Sequence, residues 1–213
     1  MQELATLASI VAALSVGVIS PGPSFVMVAR VAVASSRIRA LATALGMGVG
    51  GTIFGAAALL GLQSVLLAVP ALYAALRVVG GLYLCYLGFL IFRSARQPLA
   101  AVADSGKGSS RPLTAFWLGL TTQLSNPKAA IVYASVFAAF LPASFTLGFA
   151  AALLAAVLFV ETGWYVLVAL LFSSSGPQRA YLSCKSWVDR AAGAVMFALG
   201  LKLITSATSA AKP

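Results

Sequence analysis

Apolar residues run along this chain in long stretches, at about 4–34, 40–66, 71–92, 113–140, 145–172 and 188–206. Most reach the roughly 20 residues that a helix needs to cross a bilayer core about 30 Å thick. Six transmembrane helices are the simplest prediction. The first stretch is too long for one straight helix, since 31 residues would extend about 46 Å at 1.5 Å each. A break, a tilt or an interfacial end must absorb the excess, and Pro21-Gly22-Pro23 is the obvious place for a break. The fourth stretch is interrupted too, by Asn126-Pro127-Lys128 inside "LSNPKAAIVY", 124–133.

These interruptions occupy matching places in the two halves of the chain. Setting "VISPGPSFVMVARVAVA" beside "TQLSNPKAAIVYASVFA" aligns Ser20-Pro21-Gly22 with Ser125-Asn126-Pro127. The third stretch reads "GLYLCYLG" and the sixth "GAVMFALG", with Gly81 and Gly88, and Gly193 and Gly200, at the same spacing. Each half therefore reads as three helices, opening on a broken one. An odd number of spans per repeat turns the second half upside down, the pattern of a secondary transporter. The expected fold is an all-α membrane protein of six transmembrane helices in two inverted three-helix repeats, helices 1 and 4 broken near the midplane. It forms one domain over 1–213, with repeat 1 at about 1–93, a cytoplasmic linker at about 94–112 and repeat 2 at about 113–206. Prolines that only kink two helices for packing are the plainer alternative. In the second stretch, "GMGVGGTIFG" carries two Gly-x3-Gly spacings, 46/50 and 51/55, read as sites of close helix approach.

Composition agrees with a membrane protein. The 213 residues are 61% hydrophobic and only 8% charged, against roughly a quarter charged in soluble domains; mean hydropathy is +1.01. The net charge of +10 does not point to nucleic acid, because no basic stripe with interleaved aromatics exists. Instead the basic residues gather in three loops: Arg30, Arg37 and Arg39; Arg93, Arg96, Lys107 and Arg111; Arg179, Lys185 and Arg190. The positive-inside rule puts these loops in the cytoplasm and both termini outside. The first twenty residues hold only Glu3 as a charge, so they are expected to stay as a membrane helix, not to be removed as a signal peptide. Cys85, in an apolar run, and Cys184, in a polar loop, read as unpaired thiols without metal-ligand spacing. There is no histidine, which removes serine–histidine and cysteine–histidine catalysis.

The breaks also carry the candidate chemistry. Asn126 can cap a half-helix that starts at Pro127, and Ser20 or Gly22 can cap one starting at Pro21 or Pro23. Both half-helices then aim positive N-terminal ends at the membrane centre. Lys128 adds a full charge there, and Glu161 in "LFVETGWYV" is the acid expected at the same depth. An intramembrane carboxylate is a functional candidate by default, because one held beside a cation can serve as a proton carrier. A structural ion pair between Glu161 and Lys128 is the competing reading. Asp104 and Asp189 are expected in the linker and at a helix end.

The Pro-Gly-Pro break, the basic loop after it, "RVVGGLYLCYLGFLIFR", "LSNPKAAIVY" and the acid of the fifth helix together resemble the LysE/RhtB family of bacterial amino-acid exporters. The resemblance covers essentially the whole chain. It implies a multi-pass protein of the bacterial inner membrane that exports amino acids on the proton gradient, with no cofactor and no enzyme activity. By position it makes Pro21, Gly22, Pro23, Asn126, Pro127, Lys128 and Glu161 the expected functional set; Ser20 and Gln123, beside the breaks, complete the expected substrate-binding residues. Glu161 is the proton-coupling candidate. The expected partners are an amino acid, protons and lipid; nucleic acid is excluded, and pairing into a homodimer is left open. The charge count favours neutral amino acids such as threonine, homoserine or leucine over lysine and arginine. Export of basic amino acids, of cations or of another small metabolite is the alternative. A thiol–disulfide shuttle would need matched cysteines, but Cys85 aligns with Phe197.

Overall fold

A computed structural model describes residues 2–68, 70–95, 111–142 and 144–209. Most of the expected 94–112 linker therefore lies outside the described residues. Those residues form eight helices and no strand: α1 Gln2–Ile19, α2 Pro23–Ala34, α3 Arg37–Ala68, α4 Pro70–Ser94, α5 Pro112–Leu124, α6 Pro127–Phe140, α7 Leu147–Phe172 and α8 Ser175–Ser209. Among them, two segments are long and apolar enough to cross a membrane, Arg37–Gly61 and Leu147–Phe172. The bent pair α1 and α2 makes a third if counted as one span.

Both interruptions are real breaks, and proline chemistry explains them. In a continuous helix the amides of residues 21 and 23 would bond to the carbonyls of residues 17 and 19, but Pro21 and Pro23 have no N–H. The helix stops at Ile19 and restarts at Pro23, with a bend of 57° between the two parts. Gly22 is the N-cap and supplies no side-chain hydrogen bond. The second break differs. Pro127 cannot bond the carbonyl of Gln123, and the Asn126 amide takes it at 3.1 Å instead. Asn126 then caps α6, its side chain accepting from the Lys128 amide at 3.0 Å.

Most of the basic residues expected in loops are carried by helices: Arg37 and Arg39 lie on α3, Arg93 on α4, and Arg179, Lys185 and Arg190 on α8. Arg30, expected in a loop, lies on α2. Cys184, expected in a polar loop, lies on α8, which begins well before the apolar run at 188. Asp189, expected at a helix end, is buried inside α8 and pairs with Lys185 at 2.6 Å. A helix continues through polar residues while its backbone bonds are intact, so one charge does not end it.

Helix packing runs through small residues. A Cβ on Gly88 would lie 2.6 Å from the Gly193 carbonyl oxygen, and one on Gly81 2.8 Å from that of Gly200. These contacts hold α4 against α8. On the other side, α3 packs between α5 and α7, with Gly46 against the Phe116 backbone and Gly119 against that of Thr43. At one end of the bundle, Thr146 at the start of α7 donates through its hydroxyl to Glu3 at 3.2 Å, which puts the start of α1 beside it. Two apolar clusters form the core. One gathers α1, α6 and α7 around Leu14, Val132 and Phe137; the other gathers α2, α3 and α7 around Phe25, Met47 and Val168. Large apolar side chains such as Leu60, Phe159 and Leu147 face outward, as contact with lipid requires.

The glycine contacts give a test. Gly88→Ala sets a methyl group against backbone that cannot yield, so α4 and α8 must separate. A loss of about 1–3 kcal/mol is expected, read as a lower melting temperature of the detergent-purified protein. Gly163→Ala, whose Cβ meets nothing within 4 Å, should not lower it.

Candidate functional site

The two breaks face each other. Lys128, in the first turn of α6, extends its ammonium to the Ser20 carbonyl at 2.8 Å. In an unbroken helix the amide of residue 24 would take that carbonyl. Asn126 donates to Ser24 Oγ at 2.8 Å, the second bond between the breaks. Ser24 in turn donates to Gln123 Oε1 at 2.6 Å. The Gln123 amide donates to Glu161 Oε2 at 3.2 Å, and Tyr133 donates to Glu161 Oε1 at 2.9 Å. A continuous polar chain thus links α6, α2, α5 and α7 through buried groups. A buried carboxylate is costly unless hydrogen-bonded, and each oxygen of Glu161 has a donor.

No Lys128–Glu161 ion pair forms. In place of that competing reading, the lysine bonds to a carbonyl and the glutamate to neutral donors. The two still act on each other electrostatically, and so does Asp189 on Lys128. Asp189, however, has its own cation in Lys185.

A cavity of about 30 Å³ sits where these elements meet. Ser20, Gly22, Gln123, Asn126, Lys128 and Glu161 line it. Pro21, Pro23 and Pro127 do not; Pro23 and Pro127 are exposed and act by starting the half-helices. The hydroxyl of Ser20 is buried with no hydrogen-bond partner. That hydroxyl and the uncapped start of α2 leave polar groups open on the wall beside Lys128. Glycine makes this closeness feasible. A Cβ on Gly51 would meet Glu161 Cγ at 2.8 Å and the Tyr133 hydroxyl at 2.9 Å, and one on Gly22 would lie 3.2 Å from Lys128.

Sequence reasoning missed Ser24, Tyr133 and Tyr165, all of which line the cavity. Spacing could have found two of them. Tyr133 lies two turns after Asn126, and Tyr165 one turn after Glu161, each on the same helical face. Ser24 was the harder case, because its partners lie about a hundred positions away.

The profile of the LysE type translocator family matches residues 15–207. The chain belongs to that family. It is a membrane transporter and not an enzyme. The translocator is 34% identical over 192 residues to a threonine efflux protein of Salmonella typhimurium (strain LT2), spanning 90% of this chain and 93% of that one. Identity is also 34%, over 199 residues with the same shares covered, to a threonine efflux protein of Escherichia coli (strain K12). An uncharacterized membrane protein of Haemophilus influenzae is 32% identical over 191 residues, 88% of this chain and 90% of its own. No solved structure matches the chain.

The junction between the breaks is testable in the purified translocator. Asn126→Ala removes a helix cap and the bond to Ser24 together, for an expected loss of about 1–3 kcal/mol. Asn126→Asp keeps the capping oxygen but not the donor to Ser24. Its melting temperature should fall between those of the wild type and the alanine variant; a drop as large as alanine's would mean that the cap contributes nothing.

Proposed function

We propose that the translocator is a secondary active exporter of small neutral amino acids, exchanging them for protons across the bacterial inner membrane by alternating access. The observation that carries this reading is the composition of one cavity wall. It offers Lys128, the start of α2 and the buried Ser20 hydroxyl on one side and Glu161 on the other. An α-amino acid zwitterion has the matching ends. Its carboxylate meets the helix end and Lys128, and its ammonium meets Glu161.

A second cation on the substrate would need a second uncompensated acid. Asp189 does not line the cavity and is paired with Lys185, so lysine and arginine are disfavoured. The family membership and the threonine efflux proteins among the relatives support amino-acid export, with threonine the first substrate to try. Glu161 is the proton-coupling residue in this reading, because it is the acid that the ammonium would displace a proton from.

The architecture we propose is six spans, α1–α2 and α5–α6 each forming one broken span, in two inverted repeats with both termini periplasmic. The reciprocal glycine contacts support it. Exchanging Gly81 with Gly193 and Gly88 with Gly200 converts the Gly81–Gly200 contact into the Gly193–Gly88 contact, as a two-fold axis between the halves would. About 30 Å³ holds a water or two and no amino acid. The described conformation is therefore one in which the site is closed on itself, and transport requires α2 and α6 to move apart.

Counterflow in proteoliposomes against a panel of amino acids, with a pH-sensitive dye inside, tests the proposal. Threonine, homoserine or leucine should exchange, and export should collapse an imposed proton gradient. Glu161→Gln should lose proton-driven export but keep exchange. Lys128→Ala should raise the apparent KM roughly tenfold or more, the scale of one charge-assisted hydrogen bond. Exchange confined to lysine and arginine would sink the charge-matching argument, and pH-driven export by Glu161→Gln would move the proton site elsewhere.

A further inference from the structure

Beside the central cavity a narrow crevice lies between α1 and α7, too tight in this conformation to admit a water. Val11, Leu14 and Val18 line it from α1, at the i, i+3, i+7 spacing of a single helical face. Ala156, Val157 and Val160 line it from α7. Its other residues are Tyr133 and Glu161, hydrogen-bonded to each other at 2.9 Å. The rest of that lining is hydrocarbon.

Leu14, Val18, Tyr133 and Glu161 line both spaces, so the crevice adjoins the central cavity at the carboxylate that the export reading gives to the substrate's ammonium. The central cavity is itself two-sided. Ser24, Gln123, Asn126 and Lys128 bring polar groups from α2, the end of α5 and the start of α6, whereas α1 contributes Leu14, Gly17 and Val18. An amino acid has three groups to place around its Cα. With the ammonium on Glu161 and the carboxylate at Lys128, the side chain is left to face α1. That side offers no side-chain hydrogen bond. A polar side chain turned toward it loses water without compensation, while a hydrocarbon one gains by leaving water.

We propose that the α1–α7 crevice is the side-chain subsite of the exporter: it widens as the central cavity opens and takes the aliphatic part of the substrate's side chain. This rests on the export reading above and narrows its substrate class to amino acids with at least one methyl group beyond Cβ. Leucine enters with its whole isobutyl group. Threonine puts its methyl group there and keeps its hydroxyl in the polar cavity. Serine and alanine leave the crevice empty.

Initial-rate counterflow in proteoliposomes tests this with two pairs, threonine against serine and leucine against alanine. In the wild type each added carbon should lower KM roughly fourfold, so leucine should differ from alanine by about tenfold or more. Ala156→Leu fills the crevice from a partly buried position, and Val157→Thr puts a hydroxyl into it at nearly constant volume. In either variant both KM ratios should fall toward unity. Ala156→Leu carries the test alone if Val157→Thr does not fold. Equal KM within both pairs in the wild type overturns the proposal. So does a methyl preference that Ala156→Leu leaves intact, since the side chain then lies elsewhere. Both of those results keep the export reading standing, because amino acids are still exchanged; a wild type that exchanges no amino acid removes both.

Discussion

Lipid offers no hydrogen-bond partner to a broken backbone, and this chain breaks two helices beside each other. Its answer is to let each break satisfy the other. The Ser20 carbonyl, released when α1 stops, receives the Lys128 ammonium from the start of α6. Asn126 caps its own helix with one side-chain atom and reaches Ser24 on α2 with the other. Once those bonds are required, the four half-helices α1, α2, α5 and α6 have little freedom relative to one another. The remaining helices must approach them closely, and glycines at 46, 50 and 51 on α3 make that approach feasible.

Satisfying Lys128 with a carbonyl has a consequence for charge. An ion pair with Glu161 would neutralise both groups and leave a substrate to pry them apart, at a cost of several kcal/mol for buried charges. Here the lysine and the glutamate are held by separate neutral partners on the same cavity wall. Each keeps its charge-matching capacity for an incoming group. In the exporter proposed here, Tyr133 and Gln123 matter for the same reason: as neutral donors they would hold Glu161 in place without competing with a substrate's ammonium for its charge.

Sequence alone revealed the parts of this arrangement that depend on local backbone chemistry. Pro21, Pro23 and Pro127 cannot donate an amide, so the breaks were legible, and Asn126 before a proline announced a cap. The glycines of α4 and α8 were legible as a pair because their spacing matches, although only three dimensions show Gly81 against Gly200. What sequence did not reveal depends on distant partners. Opposite charges suggested a Lys128–Glu161 pair, but reach and orientation gave the lysine a carbonyl. Ser24 looked like an ordinary first-turn serine until Asn126 and Gln123 came from across the chain. Arg30 and Asp189 were misplaced because charge was read as a sign of water, whereas both are carried by helices.

The same junction explains how binding and movement can be linked. The direct hydrogen bonds between the breaks run through one ammonium and one amide. In the exporter proposed here, a substrate carboxylate reaching Lys128 competes with the Ser20 carbonyl for the same protons. It is charged and the carbonyl is not, so it is the stronger acceptor. Binding then exchanges an internal bond for one to the substrate, and the breaks lose a link that holds them together. A ligand shifts a conformational equilibrium only by its differential affinity for the two states. A site that must break an internal bond to bind has such a difference built in, because the closed arrangement, with room for a water or two, cannot hold the substrate.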